Sequence, residues 1–556
     1  MKKSKVILGF TALIIGCFLG VLDSTIVNIA LPDIAIYLGK NINDVSWITT
    51  AYLLSFSVFL IIGSKIADQF GRKKILIIGL FIFGLSSLLC AVGNSFIFLI
   101  IMRFFQGIGA AIITPVVLPL GLEIFGKEKR GFVIAVSGGI TALAAAVGPP
   151  IGGVILQYLN WKYIFYVNVP MSIIAILFAV ISLNESYDTT VSKKVDILGA
   201  ILLMISICCL VFPLLKGNDY GWQSKTIVSL FCICILSIIA FLFVEVKTKE
   251  PMLPLNLFKE STFTASCILY MTAGFATASP LLLLNFYLEQ IFNYSPLKSG
   301  LVLMTLSLAS VLGIPLGSIL VKKIGARLVN FLGIIIVGVG TVLLSQININ
   351  TSITSMRTTL VIMGIGFGFS VQSIASSIKY LPVEKSGMAS GIINAARQIG
   401  MCVGIAVLVS ILNTNVTNAT NNIKQDVTTK INSQANLDPI IKEKMLSKVN
   451  NLNQNSTSFS KEDVIKDIDN QGKMMIAKVP NDKKIVVLTS IKEQKNKVEY
   501  LINFGQNIKD KELSNAFDNT FVVSYAIVFI LSICGLFTDR KLREDEKIMH
   551  HTLGDR

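Results

Sequence analysis

Asp23 stands inside a long apolar run, in Gly20-Val21-Leu22-Asp23-Ser24-Thr25-Ile26-Val27-Asn28, with aliphatic residues before it and hydroxyl and amide groups after it. Desolvation penalises the charged form of a carboxyl, so a group in such a setting can take up a proton on one side of a barrier and release it on the other. A carboxyl held permanently by hydrogen bonds from neighbouring helices would instead be structural, and the residues alone leave both roles open. Arg103 lies in a second apolar run, Leu99-Ile100-Ile101-Met102-Arg103-Phe104-Phe105-Gln106-Gly107-Ile108-Gly109. It can pair with a carboxylate such as Asp23, or its head can reach the membrane interface and anchor the helix. Gln106, three residues on, points the same way and favours an inward polar patch.

Three further clusters carry charge or backbone chemistry. Asp68, Gly71, Arg72 and Lys73 fall in Ala67-Asp68-Gln69-Phe70-Gly71-Arg72-Lys73-Lys74. Gly71 suits a tight turn, and Asp68 can bridge to basic groups or a helix N-terminus and latch one conformation; read more plainly, this is a charged turn that sets topology. Gly148-Pro149-Pro150-Ile151-Gly152-Gly153 ends another apolar run. Its glycines permit close helix approach, and its prolines bend the backbone where a moving helix would need it. Arg397, in Asn394-Ala395-Ala396-Arg397-Gln398-Ile399-Gly400, is one more intramembrane charge; Glu384, a lipid headgroup or an anionic ligand could meet it.

The elements that position these residues are membrane helices. Of 556 residues, 53% are hydrophobic and 15% charged, well below the ~25% charged of a soluble domain. The apolar residues fall in runs of about 20, the length that crosses a ~30 Å hydrocarbon core at 1.5 Å per residue. Fourteen such spans are predicted, at about 6–30, 46–66, 75–93, 96–120, 131–156, 161–183, 196–215, 225–245, 262–288, 297–320, 326–346, 358–379, 387–411 and 520–538. Basic residues alternate with them. Arg72-Lys73-Lys74, Lys127 with Lys129 and Arg130, Lys193-Lys194, Lys247 with Lys249 and Lys259, Lys322-Lys323 with Arg327, and Lys379 with Lys385 all fall on one side. The positive-inside rule makes that side cytoplasmic, together with both termini. The start, Met1-Lys2-Lys3-Ser4-Lys5, imitates a signal peptide, but its apolar run is too long and further spans follow, so it reads as the first membrane helix.

The net charge of +16 is spread over short loops, which excludes a nucleic-acid face. The nine cysteines lie in apolar stretches and imply neither a disulfide framework nor a metal site. No Gly-rich phosphate loop occurs, so ATP hydrolysis is disfavoured. The basic turn at Gly71-Arg72-Lys73 has a counterpart at Lys322-Lys323-Ile324-Gly325-Ala326-Arg327, which suggests two parallel six-helix halves, a transporter signature. The expected organisation is an N-terminal six-helix bundle at 1–190, two inserted helices at 191–258, and the first five helices of a C-terminal bundle at 259–411. A large outer segment follows at 412–519, then the last span at 520–538 and a cytoplasmic tail at 539–556. The outer segment is rich in Asn, Lys, Ser, Asp and Thr, with amphipathic stretches at Ile440 to Val449 and Val486 to Phe504; a small folded cap and a partly disordered tether are both compatible with it.

Outside 412–519 the chain closely resembles the fourteen-span drug:proton antiporter family of the major facilitator superfamily. The first-helix pattern is Leu22-Asp23-Ser24-Thr25-Ile26-Val27-Asn28-Ile29-Ala30-Leu31-Pro32. The turn after helix 2 matches at Asp68, Gly71, Arg72 and Lys73, with Ser64 and Gln69 departing from the usual Gly and Arg. Helix 4 matches at Arg103, Gln106, Gly107 and Gly109, and helix 5 at Gly148, Pro149, Gly152 and Gly153, with Ala144 in place of an earlier Gly. Trp161-Lys162-Tyr163-Ile164-Phe165-Tyr166-Val167-Asn168-Val169-Pro170 is similar to the family's start of helix 6.

The resemblance implies an all-α polytopic fold in a bacterial cytoplasmic membrane. It implies a secondary exporter of lipophilic, often cationic compounds in exchange for protons, needing no cofactor besides the coupling proton. Asp23 and Arg103 would serve coupling, Asp68 gating, and the helix-5 glycines the antiport motion. Glu289, beside Tyr287, would help recognise a cation, with Gln106 and Arg397 as further substrate contacts. Two other functions fit the residues: a narrow exporter of a metabolite, lipid precursor or peptide, and a membrane receptor or assembly factor acting on a partner through 412–519.

Overall fold

A computed structural model describes residues 3–126, 129–187, 196–248, 251, 253–379, 386–434, 437–450 and 484–539. Lys127, Lys193, Lys194, Lys249, Lys385, Glu384 and the tail 540–556 lie outside them. Every long element is a helix, and no strand occurs among the described residues. In hydrocarbon each backbone donor must be satisfied within its own segment, so an apolar chain of this kind has little alternative.

The first set of helices is α1 (Lys3–Leu38), α2 (Ile42–Phe70), α3 (Arg72–Val92), α4 (Phe96–Phe125), α5 (Arg130–Tyr158), the short α6 (Lys162–Tyr166) and α7 (Asn168–Ser182). Then come α8 (Ile197–Tyr220) and α9 (Lys225–Lys247). The second set is α10 (Ser261–Gln290), α11 (Pro296–Ile324), α12 (Ala326–Leu344), α13 (Ile353–Ser370), α14 (Gln372–Ile378), α15 (Ser386–Ser433), α16 (Pro439–Asn450) and α17 (Lys484–Ser532). Among the described residues, 13 helices are long and apolar enough to cross a membrane. Helix α2, the second of the fourteen expected spans, is not one of these, although its 29 residues give it ample length.

Local signals set the helix ends. Asn41, Ser295 and Ser352 accept from backbone N–H groups of the first turns of α2, α11 and α13. Gly71 ends α2 and starts α3 with φ +106°, and Gly325 ends α11 and starts α12 with φ +85°. Only glycine adopts that region without strain, so the same one-residue turn recurs at corresponding points of the two sets.

Within the first set α4 packs on α2 and α3, and α1 on α5 and α7; in the second α13 packs on α11 and α12, and α10 on α15. The sets meet where α5 crosses α11 and where α2 crosses α15. A two-fold relation between halves would exchange those two contacts, since α2 and α11 are the second helix of each half and α5 and α15 the fifth. Helix α8 lies against α2 and α15, whereas α9 presents Ile235, Leu236, Ile239 and Phe243 outward. Helix α10 is buried almost throughout.

Small residues make the close crossings. A Cβ at Gly153 would lie 2.5 Å from Leu297 Cα, and one at Gly300 would run into the Pro149 carbonyl. Gly148 and Gly152 abut Thr25 and Ile26 of α1 in the same way. Lipid tails are as apolar as side chains, so helix association here rests on van der Waals fit and requires such approaches.

The described part of 412–519 is helical except for a short connection at 434 and 437–438. Helices α15 and α17 have 48 and 49 residues, about 70 Å each, more than twice the hydrocarbon thickness. The expected boundaries at 411/412 and 519/520 therefore fall inside unbroken helices. Ile423, Val427 and Ile431 of α15 pack with Ile441, Met445 and Val449 of α16 and Val498, Leu501 and Ile502 of α17. Their spacing of three and four residues draws one stripe per helix, which is how a mostly polar segment still forms a core.

Two consequences are measurable. Gly300→Leu should lower stability by about 1–3 kcal/mol through overpacking against Pro149, read as a lower melting temperature of the purified protein; an unchanged melting temperature would contradict the α5–α11 crossing. Leu501→Ala should cost about 2–5 kcal/mol locally and expose 412–519 to protease while the membrane helices stay protected; uniform resistance would mean that the outer core contributes little.

Candidate functional site

Asp23 and Arg103 are both fully buried and form an ion pair between α1 and α4. Gln106 lies one turn along α4 from Arg103. It accepts from Arg103 Nη1 at 2.8 Å and donates through Nε2 to Asp23 Oδ1 at 2.9 Å. Asn168 Nδ2 also donates to Asp23 Oδ1, at 3.0 Å, and lies 3.1 Å from Ser87 Oγ, whose hydroxyl donates to the Phe165 carbonyl. Arg103 Nε donates to the Ile48 carbonyl at 3.0 Å. Its guanidinium lies over the Tyr52 ring at 4.4 Å, and the Tyr52 hydroxyl donates to the Gly20 carbonyl at 2.8 Å. Five helices thus converge on one carboxylate.

Each approach has a local cause. Gly107 has no room for a Cβ against Ser55 and Tyr52, which lets α4 press on α2 and sets the depth of Arg103. Pro170 has no N–H to bond the Tyr166 carbonyl, so helical bonding is interrupted at Val167 while the backbone there stays in the α region, and Asn168 follows beside Asp23. The charges compensate each other, and removing one partner of such a pair typically costs about 3–5 kcal/mol. What the arrangement does is pair the Asp23 carboxylate with Arg103 and direct the amide donors of Gln106 and Asn168 at it.

The turn at Gly71 forms a second cluster. Arg72 pairs with Asp68 one turn back, with Nε–Oδ1 at 2.8 Å. Glu185, after α7, takes the backbone N–H groups of Lys73 and Lys74 at 2.9 and 3.1 Å, capping the N-terminus of α3. Lys73 Nζ in turn donates to the Val180 and Leu183 carbonyls at the end of α7. Side chains on both sides of the turn therefore tie α2, α3 and the end of α7 together.

The remaining expected residues lie in the second half, and they separate. Tyr287 is buried; its hydroxyl lies 2.7 Å from Ser514 Oγ and donates to the Ile347 carbonyl at 3.1 Å, and its ring packs on Phe517 at 4.9 Å. It is committed to α17, while Glu289, two residues on, projects from another face of α10, so the two do not form the joint cation contact expected of them. Asn285, one turn before Glu289, donates to the Asn28 carbonyl of α1 at 3.1 Å, a contact between the halves five residues from Asp23.

Arg397 of α15 stands apart from the ion pair. Its guanidinium lies 5.3 Å from the Phe367 ring and 5.8 Å from the Tyr270 ring, and its buried Nε has no hydrogen-bond partner among the described residues. Ring contacts at the outer limit of cation–π range contribute about 0.5–1 kcal/mol each. An Arg at the centre of a membrane helix costs at least ~2.5–3.5 kcal/mol, so the rings do not offset it.

Asn168, Tyr52, Ser87 and Glu185 went unremarked as site residues in the sequence. Asn168 was visible as a polar residue before Pro170 in the helix-6 segment. The other three have no local signal, because they matter only through what faces them.

Comparison with known proteins places the chain in a family. The family model of the Major Facilitator Superfamily matches residues 13–405. The multidrug transporter protein MdtP of Bacillus subtilis is 33% identical over 414 residues, 74% of this chain and 76% of MdtP. The riboflavin transporter RibZ of Clostridioides difficile is 30% identical over 407 residues, 73% of this chain and 88% of RibZ. Among solved structures, an inward-facing, unoccupied bacterial homologue of the human lysosomal transporter Spinster superposes with a TM-score of 0.57 at 13% identity, covering 98% of this chain and all of that one. The chain therefore belongs to the Major Facilitator Superfamily, as a multi-pass carrier of the bacterial cytoplasmic membrane.

Proposed function

We propose that this carrier exports lipophilic compounds, toxic cations among them, in exchange for protons by alternating access. The observation that carries the reading is Asp23: a carboxylate sealed from water inside the first half, with Arg103, Gln106 and Asn168 all donating toward it or its network. Protonation of Asp23 would cancel its charge, leave Arg103 uncompensated and loosen the hold of α4 and α7 on α1. Helix α1 also supplies Asn28, which accepts from Asn285 of the second half, so movement of α1 reaches the contact between halves. The glycine-lined crossing of α5 on α11 is a surface that can part without breaking a charge pair. In this reading α2 is a span as well, which makes fourteen, and both termini face the cytoplasm.

The similarity to a multidrug transporter supports broad export, and the similarity to a riboflavin transporter supports a second reading, a carrier with one preferred metabolite. Uptake into inside-out vesicles separates them: a panel of lipophilic dyes and riboflavin is offered with an imposed proton gradient. Export of several unrelated dyes, abolished by a protonophore, is expected; uptake indifferent to the protonophore would end the proton reading.

The ion pair makes a sharper prediction. Asp23→Asn should lose gradient-driven uptake and also lose about 3–5 kcal/mol of stability, because Arg103 is left buried and unpaired. The double variant Asp23→Asn with Arg103→Gln removes both charges and should regain much of the lost melting temperature without regaining gradient-driven uptake. A double variant that couples to protons would remove Asp23 from the mechanism.

A further inference from the structure

Arg397 is one of the ionisable groups on the membrane helices, with Glu289, that the proton reading leaves unused. It is the twelfth residue of α15, about 17 Å from the helix start and near the middle of the expected span 387–411. From there the side chain is too short to bring its head to either interface. Gly274 of α10 sets the approach: a Cβ there would collide with the Arg397 carbonyl and lie 3.1 Å from its Cγ, so α10 clamps the stem and the guanidinium projects toward Tyr270 and Phe367. The two rings are nearly parallel, with an interplanar angle of 18°. The side chain is partly exposed, and on its own helix Gln398 Oε1 has no hydrogen-bond partner among the described residues. No carboxylate pairs with Arg397 among the described residues.

The contrast with Arg103 decides what this means. Both arginines sit within membrane helices, and both lie over aromatic rings. Arg103 is fully buried, with a carboxylate, an amide and a backbone carbonyl around it. Arg397 keeps the rings and part of its surface open, and the structure supplies no anion. A guanidinium retains five donors in a planar fork that matches a carboxylate or phosphate, and it stacks on ring systems. Its surroundings are therefore complete when an anionic group approaches the open edge and a flat apolar body lies against the partly exposed Phe367, which Tyr270 backs from the buried side.

We propose that Arg397, Tyr270 and Phe367 form an anion-binding subsite in the second half of the carrier, which takes the carboxylate or similar anionic group of a planar, aromatic compound. This deepens the exporter reading and rests on it for the statement that the compound is cargo; the binding itself does not depend on proton coupling. It extends the expected substrates beyond cations to anionic and zwitterionic aromatic molecules. An acidic phospholipid headgroup offers the same anionic chemistry, and the test separates the two sources.

The purified full chain is placed in nanodiscs of phosphatidylcholine alone, and binding of fluorescein, a planar anionic dye, and of ethidium, a planar cation, is followed by fluorescence anisotropy against empty discs. The wild type is expected to bind fluorescein saturably. Arg397→Gln should weaken that binding by about tenfold or more, and Arg397→Lys, which keeps the charge without the fork, should fall between them. Ethidium binding should be the same in all three, which also verifies that the variants are folded. In parallel, melting temperatures are compared in discs with and without phosphatidylglycerol. If fluorescein does not bind but phosphatidylglycerol stabilises the wild type and not Arg397→Gln, the subsite stands and its anion is the lipid. If neither fluorescein nor phosphatidylglycerol distinguishes wild type from Arg397→Gln while ethidium still binds, the subsite is wrong. Failure of gradient-driven uptake in vesicles would overturn the exporter reading and leave these binding results untouched.

Discussion

A carboxylate and a guanidinium buried together in hydrocarbon constrain the first half of this protein more than any other contact. Neither charge is tolerable there alone, and together they still need their remaining lone pairs and protons satisfied. Asp23 and Arg103 meet most of that demand through Gln106 one turn along α4, Asn168 of α7 and the Ile48 carbonyl of α2, while Arg103 Nη2 has no hydrogen-bond partner among the described residues. The close crossing at Gly107 and the interruption of helical bonding before Asn168 are the backbone terms of the same requirement. Helices α1, α2, α4 and α7 are held in one arrangement because the pair accepts no looser one.

Between the halves the physics is different. Small residues and backbone make the crossing of α5 on α11, Cys402 Sγ of α15 lies 3.9 Å from the Thr50 carbonyl of α2, and Asn285 of α10 donates to the Asn28 carbonyl of α1. Such surfaces resist separation by van der Waals fit, not by charge, so they can part and reform at modest cost. Strong electrostatics inside a half and weak, smooth contacts between halves is the division of labour a rocking carrier requires. Asn28 stands on α1 five residues beyond Asp23, which brings the two kinds of contact within about two turns of one helix.

The outer segment is built on the same helices. Helices α15 and α17 continue past the hydrocarbon and are joined by α16 around a core of Ile, Val, Leu and Met. Lys430 lies over Tyr500 and Phe504 at 5.5 and 5.3 Å, and Asn422 donates to Glu512 across the pair. Both long helices belong to the second half.

The sequence by itself determined the class of fold and most of the polar inventory. Long apolar runs can only be helices in a bilayer, and a lone Asp or Arg inside one announces a partner. Asp23, Arg103 and Gln106 were legible for that reason, as was the turn at Gly71, whose backbone only glycine favours. Tertiary structure decided which groups meet. Tyr52, Ser87, Asn168 and Glu185 acquire meaning from residues scattered through the first half of the chain, and nothing in their own neighbourhoods encodes those distances. It committed Tyr287 to Ser514, Phe517 and the Ile347 carbonyl, partners far along the chain. It joined the described parts of 412–519 to the membrane helices, because an amphipathic stripe continues through a polar composition that hydropathy reads as a break. It also left Arg397 without a carboxylate among the described residues, a fact that depends on the absence of a neighbour in space and so could not be read along the chain.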